Sequence, residues 1–213
     1  MAVAYRSTST LVSAGASSLA VAAPAGLAND DIMIAIAKGV TGSTVTSVPS
    51  GWTLIRTITS ASLYWKRASS ESGTYTWGFS SSIACRASIS AYTGVITSGT
   101  PYDAENGQEN ASSNSITAPS CSPVQSNGYL VFVASLNNSA ADRTVTPPGS
   151  MVEDYDSGLR MLQTFAHEQL SASGATGTRV GTIDAAAANI NFGYLVVLTP
   201  ASVTAVLTGT IRA

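Results

Sequence analysis

A pattern that occurs twice constrains this chain more than any other feature. In its first occurrence Ala23-Pro24-Ala25-Gly26 precedes the polar pair Asp30-Asp31. The run Ile32-Met33-Ile34-Ala35-Ile36-Ala37 follows, and a polar loop then leads to Val48-Pro49-Ser50-Gly51-Trp52. In the second, Ala118-Pro119 precedes Ser126-Asn127-Gly128, then Tyr129-Leu130-Val131-Phe132-Val133-Ala134, a loop, and Val145-Thr146-Pro147-Pro148-Gly149-Ser150-Met151. A short run apolar on both faces is the pattern of a strand buried on both sides. The chain therefore reads as two degenerate copies of one β unit.

Taken in order, residues 1–10 read as an arm or first edge strand, and Leu19 and Val21 alternate with small residues as a strand would. Strands are expected at Trp52–Thr57, at Leu63–Arg67, and where Tyr75, Trp77 and Phe79 share one face. Ile83–Ala91 closes the first unit, with Arg86, Ser88 and Ser90 outward. Residues 96–115 form a long polar stretch without a large aliphatic residue between Ile96 and Ile116, read as the connection between units. In the second unit, Met161–Leu170 is made of good helix formers. The repeat matches it to Leu63–Arg67, and a strand is the reading preferred. Val203–Arg212 alternates as a last strand or arm. The expected fold is all-β: a two-sheet antiparallel sandwich of jelly-roll type built from two similar four-stranded halves. It forms a single domain over 1–213, with the repeat at about 19–95 and 116–199 and terminal arms at 1–10 and 203–213. Two separate small β domains are disfavoured, because each would leave its inner face uncovered.

Composition narrows the function. Charged residues make up 10% of the 213, against about 25% in ordinary soluble domains. With 45% hydrophobic residues and a net charge of −2 the chain should fold. The basic residues are scattered and only Lys38 and Lys66 are lysines, which argues against nucleic acid. Residues 1–22 lack a signal-peptide core, and the apolar runs fall short of the roughly 20 residues of a spanning helix, so no membrane partner is expected. Cys85 is read as a core residue beside Ile83, Ala87 and Ile89, and Cys121 as a loop residue. A bridge between them is the less favoured alternative, and synthesis in a reducing cytoplasm fits.

Candidate chemistry is sparse. His167 is the one histidine. No Gly-x-Ser-x-Gly elbow accompanies it, and it reads as a strand residue. One histidine and two distant cysteines do not make a zinc site. Glu105, Glu109, Glu153 and Asp154 would serve glycoside hydrolysis only if the fold set a pair at the right separation; their polar surroundings predict solvated charges. Glu153, Asp154 and Asp156 are the nearest thing to an oxygen-ligand cluster, without the EF-hand spacing, and whether they hold a cation is left to the fold. No catalytic, cofactor-binding or metal residue is assigned, and no cofactor or enzymatic activity is expected.

Several of these segments together resemble a known class. Ala23-Pro24-Ala25-Gly26, the polar pair before an apolar strand, Val48-Pro49-Ser50-Gly51-Trp52-Thr53-Leu54-Ile55, the aromatic strand Leu63–Ala68 and Ala91-Tyr92-Thr93-Gly94-Val95 look like jelly-roll virion accessory proteins of tailed phages. The resemblance covers Leu19 to Val95 and reaches the second half through the repeat. It implies a cement or decoration protein that binds the major capsid protein on the outside of the shell. The alternative within the class is a tail or fibre component that binds host carbohydrate through exposed aromatics such as Tyr102 and Tyr155. A glycan-active enzyme or free carbohydrate-binding module is a third reading. Weak contacts gain avidity when several act together, so a homotrimer is expected, with its terminal arms on neighbouring subunits or on the shell.

Overall fold

The computed structural model describes residues 2–40, 42–82, 84–137, 141–184 and 189–201, and among them there is no helix. The first unit contains β1 (Ala4–Thr8), β2 (Val12–Gly15), β3 (Ser18–Ala22), β4 (Ile32–Gly39), β5 (Val45–Ser47), β6 (Thr53–Ile58), β7 (Ala61–Arg67), β8 (Thr74–Phe79) and β9 (Ala84–Thr93). The second contains β10 (Tyr102–Ser113), β11 (Ser115–Ala118), β12 (Tyr129–Leu136), β13 (Val145–Thr146), β14 (Val152–Asp156), β15 (Gln163–Gln169), β16 (Arg179–Ile183) and β17 (Asn189–Leu198). Each unit has a large antiparallel sheet, ordered β1-β9-β4-β7-β6 (with β2 also on β9) and β10-β17-β12-β15-β14. Each also has a small one, β3-β8-β5 and β11-β16-β13.

The two units match in strand order and in the register of their central strands. Ile32 of β4 opposes Arg67 on one side and Tyr92 on the other, and Tyr129 of β12 opposes Gln169 and Leu198 in the same places. The residues just before each strand, Asp30 and Asn127, fall near the left-handed region with φ of 69° and 60°. Bulges recur as well. The β6–β7 register slips at Ile55 and the β14–β15 register at Asp154, while the β1–β9 and β10–β17 registers slip at Arg6 and Asp103.

The all-β antiparallel sandwich holds, but it is made of four sheets rather than two. Alternation along β4 sends Met33, Ala35 and Ala37 toward the small sheet, against Leu19, Val21, Trp77 and Phe79. Ile32, Ile34 and Ile36 point the other way, against Val131, Val133, Phe165 and Tyr194 of the second unit. Leu130, Phe132 and Ala134 then meet Ile116 and Ile183 of the second small sheet. The inner face that counted against two β units is thus covered, each by the other. Burial on both sides explains why β4 is apolar on both faces from Ile32 to Ala37 and β12 from Tyr129 to Ala134.

Several local expectations change. Residues 102–113 of the supposed connection are β10, an edge strand paired along β17. An edge half open to water requires no large aliphatic residues, and Gly107 supplies room instead: a Cβ there would lie 2.6 Å from the Tyr194 ring and 3.0 Å from Ile58 Cδ1. Of the two readings of residues 1–10, the edge strand holds and the free arm does not, since Ala4–Thr8 pairs with β9 and Val3 is buried. Residues 203–213 and Ile83 lie outside the described residues. Ser88 and Ser90, expected outward, are buried between the units, because outward from one unit is inward to the seam. Gln163–Gln169 is a strand between β12 and β14, as the repeat predicted against its helical propensity.

Trp77 is fully buried, with ring centroids 4.9 Å from Tyr64 and 5.3 Å from Trp52. Trp77→Ala should lower stability by about 3–5 kcal/mol in urea denaturation, with the cavity confined to the first unit.

Candidate functional site

The second unit carries a polar constellation at one end of the seam. The bulge in β14 leaves Asp154 as the extra residue between Glu153, opposite Ala166, and Tyr155, opposite Phe165. Its carboxylate is 1% exposed and lies 2.6 Å from Nδ1 of His167. Tyr92 of the first unit donates to the same carboxylate at 3.2 Å. The imidazole stacks on Tyr129, with centroids 4.7 Å apart and planes 17° from parallel. Tyr129 Oη accepts a hydrogen bond from the Tyr5 backbone N–H at 3.2 Å. An open groove of about 790 Å³ runs past these rings, lined by Tyr5, Tyr129, Ser150, His167, Glu168 and Gln169 among others.

Burial sets the electrostatics. It raises the Asp154 pKa, an effect partly offset by the hydrogen bond from His167. Burial, with the Asp154 charge nearby, pushes the Tyr92 and Tyr129 hydroxyls up, so both remain protonated donors. The Asp154 carboxyl at Nδ1 fixes the orientation of the imidazole on the Tyr129 ring. The arrangement can hold a flat or hydroxyl-bearing ligand by stacking and hydrogen bonding.

The matching positions in the first unit are apolar. Where the second unit has Asp154, His167 and Tyr129, the first has Ile55, Trp65 and Ile32, and Leu198 stands where Tyr92 would be; all belong to or pack on the central core. Tyr102 answers Tyr5. Two ends built on one backbone pattern have therefore diverged, one carrying the polar constellation and the other apolar side chains at the matching positions.

The other candidate residues have separate duties. Asp156 accepts from the Val145 and Gly158 amides at 2.6 and 2.9 Å, a turn cap rather than a cation ligand. Among the described residues no group of three His, Cys, Asp or Glu could hold a metal ion. Glu105 forms a two-pronged pair with Arg56 across the seam, at 2.7 and 3.0 Å. Cys85 and Cys121 are both free, one in each outer core. Tyr102 and Tyr155, expected as exposed aromatics, are half-buried against the central core, and Tyr155 Oη accepts from the Leu11 N–H. In the sequence His167 stood alone, because its partner lies on a neighbouring strand at a bulge. The stronger cue was the repeat, which sets His167 against Trp65. Comparison with protein-family models, curated proteins and solved structures finds no match to this chain.

A pH dependence follows from β14. Burial raises the pKa of Asp154, so its protonated form is favoured in the folded state. That contribution is fully present below the unfolded aspartate value of about 4 and is lost as pH rises through the higher folded value. Asp154→Asn removes the titration. In urea denaturation at a series of pH values, the stability of the parent relative to this variant should therefore increase as pH falls through that window.

Proposed function

We propose that this chain is a structural virion protein that binds the outside of a phage capsid and stabilises it, without enzymatic activity. The observation that carries the reading is the way two similar β units are locked face to face into one four-layered body whose surface is poor in charge. Such a body offers hydroxyl and methyl groups that pack on a neighbour without stripping water from ions. The strand order supports a jelly-roll type for each unit. β9 lies between β1 or β2 and β4 in the large sheet, and β8 between β3 and β5 in the small one. The resemblance of Leu19–Val95 to jelly-roll virion accessory proteins points the same way. The partner is the major capsid protein, and the place is the capsid surface after synthesis in the host cytoplasm.

One observation favours a second reading. The groove beside Tyr129 and His167 combines a stacked aromatic pair with amide and carboxylate side chains, which suits a sugar ring, and a tail component that binds host carbohydrate would use it so. Electron cryomicroscopy of the virion decides between them. Density for this fold is expected over the capsomers, as a homotrimer, and native mass measurement of the free protein should show three copies. Density confined to the tail would overturn the capsid assignment in favour of the groove.

A further inference from the structure

Lys38 is fully buried at the end of the seam away from any solvent-facing role. It follows Ile32, Ile34 and Ile36 on the face of β4 that meets the second unit, and its ammonium lies 5.1 Å from the centre of the Phe192 ring. Nζ donates to Gly39 O at 2.8 Å and, across the seam, to Asn137 Oδ1 at 2.9 Å. Asn137 stands one residue beyond β12, held by its N–H to Ile190 O at 2.9 Å. Its carboxamide therefore meets a fully buried lysine amine set against an aromatic ring, with the carbonyl turned toward the nitrogen. Glu109 stands directly opposite Phe192 on β10, so its side chain leaves the same face of the sheet.

We infer that Lys38 and Asn137 are the two halves of a self-forming covalent cross-link, an amide between Lys38 Nζ and Asn137 Cγ that joins the two β units. The step needs only groups already present. Glu109 takes a proton from Nζ, and the freed electron pair forms the bond to Cγ. The Cγ–Nδ2 bond breaks, and protons pass through Glu109 to Nδ2, which leaves as ammonium. An alkylammonium and a carboxamide become a secondary amide and ammonium, with no change of oxidation state. The surroundings favour the reactive form of the amine. Desolvation lowers the Lys38 pKa to about 7, with Arg86 across the strand pushing the same way and Glu109 opposing. A substantial fraction is then the neutral nucleophile near neutral pH. A lysine buried without such use is a costly residue, and Ser135 takes its place in the second unit.

The test is intact-mass spectrometry of the full chain after incubation in mildly alkaline buffer and unfolding in denaturant. The mass should fall about 17 Da below that of the sequence, the ammonia lost. Fragmentation of a digest should give a branched peptide joining Lys38 to Asn137. The parent protein alone decides the matter, so nothing depends on whether a variant folds. A full-length mass with no loss overturns the cross-link. Asparagine can also lose ammonia by closing on its own backbone. A loss that maps to an unbranched peptide, or that persists in Lys38→Met, therefore overturns it too. In Glu109→Gln the product should form at least about 10-fold more slowly, and an unchanged rate would remove Glu109 from the step.

Discussion

The fold depends on one constraint, the two-sided burial of β4 and β12. A strand that is apolar on both faces must be covered on both. In each unit a three-stranded sheet covers one face, and nothing else within that unit is available for the other. Left bare, Ile32, Ile34, Ile36 and Leu63, or Val131, Val133, Phe165 and Val196, would form a large exposed apolar patch of the kind that marks an interface. Burying each such side chain contributes about 1.5–3 kcal/mol, so the two faces close on each other. The units pack with their edges exchanged: Arg56 of β6 meets Glu105 of β10, and the Leu11 N–H just before β2 meets Tyr155 of β14. This is the arrangement of a self-complementary dimer, realised here within one chain.

Once the two faces are buried together, equivalent positions no longer have equivalent surroundings, and they can diverge. Ile55 and Asp154 occupy the same bulge, and Trp65 and His167 the same position on the neighbouring strand, opposite Thr53 and Val152. At one end the bulged residue adds an aliphatic side chain to the core. At the other it places a carboxylate between an imidazole and the Tyr92 hydroxyl. A bulge turns a side chain that would otherwise continue the alternation, so it is a natural place for a duplicated unit to acquire a polar group.

The sequence shows the repeat because β4 and β12 are marked by uninterrupted apolar runs, and because turn residues at Asp30 and Asn127 precede them. That repeat decides Gln163–Gln169, where local propensity alone favours a helix. It does not show how many layers there are. Alternation within a strand says that a face is buried, not against what, so Ser88 and Ser90 read as solvent-facing when they face the seam. The edge strand β10 is hidden for the opposite reason: edge positions need few apolar residues, and a strand of Asp, Asn, Gln, Glu and Gly carries no hydrophobic period. The site is the least legible part. His167, Asp154, Tyr129, Tyr92 and Tyr5 come from five strands of two units, and no spacing along the chain brings them together.

An apolar seam of Ile, Val, Phe and Tyr supplies energy but little choice of alignment, since hydrophobic contact is non-directional. The alignment of the two units is set by polar groups buried within it. Ser88 Oγ donates to Gln163 Oε1 at 2.6 Å, Tyr194 Oη to Ala61 O at 2.9 Å, and the Tyr5 N–H to Tyr129 Oη at 3.2 Å. Each bond is worth about 1 kcal/mol when made, and a buried partner left unmade costs about 1–3 kcal/mol. Sliding one large sheet across the other by a single strand spacing would break these bonds together while leaving much of the apolar contact intact. The polar groups therefore act mainly against wrong alignments, and the apolar residues against separation. That division explains why serine and glutamine persist at fully buried positions in the middle of the protein, where aliphatic residues would pack as well.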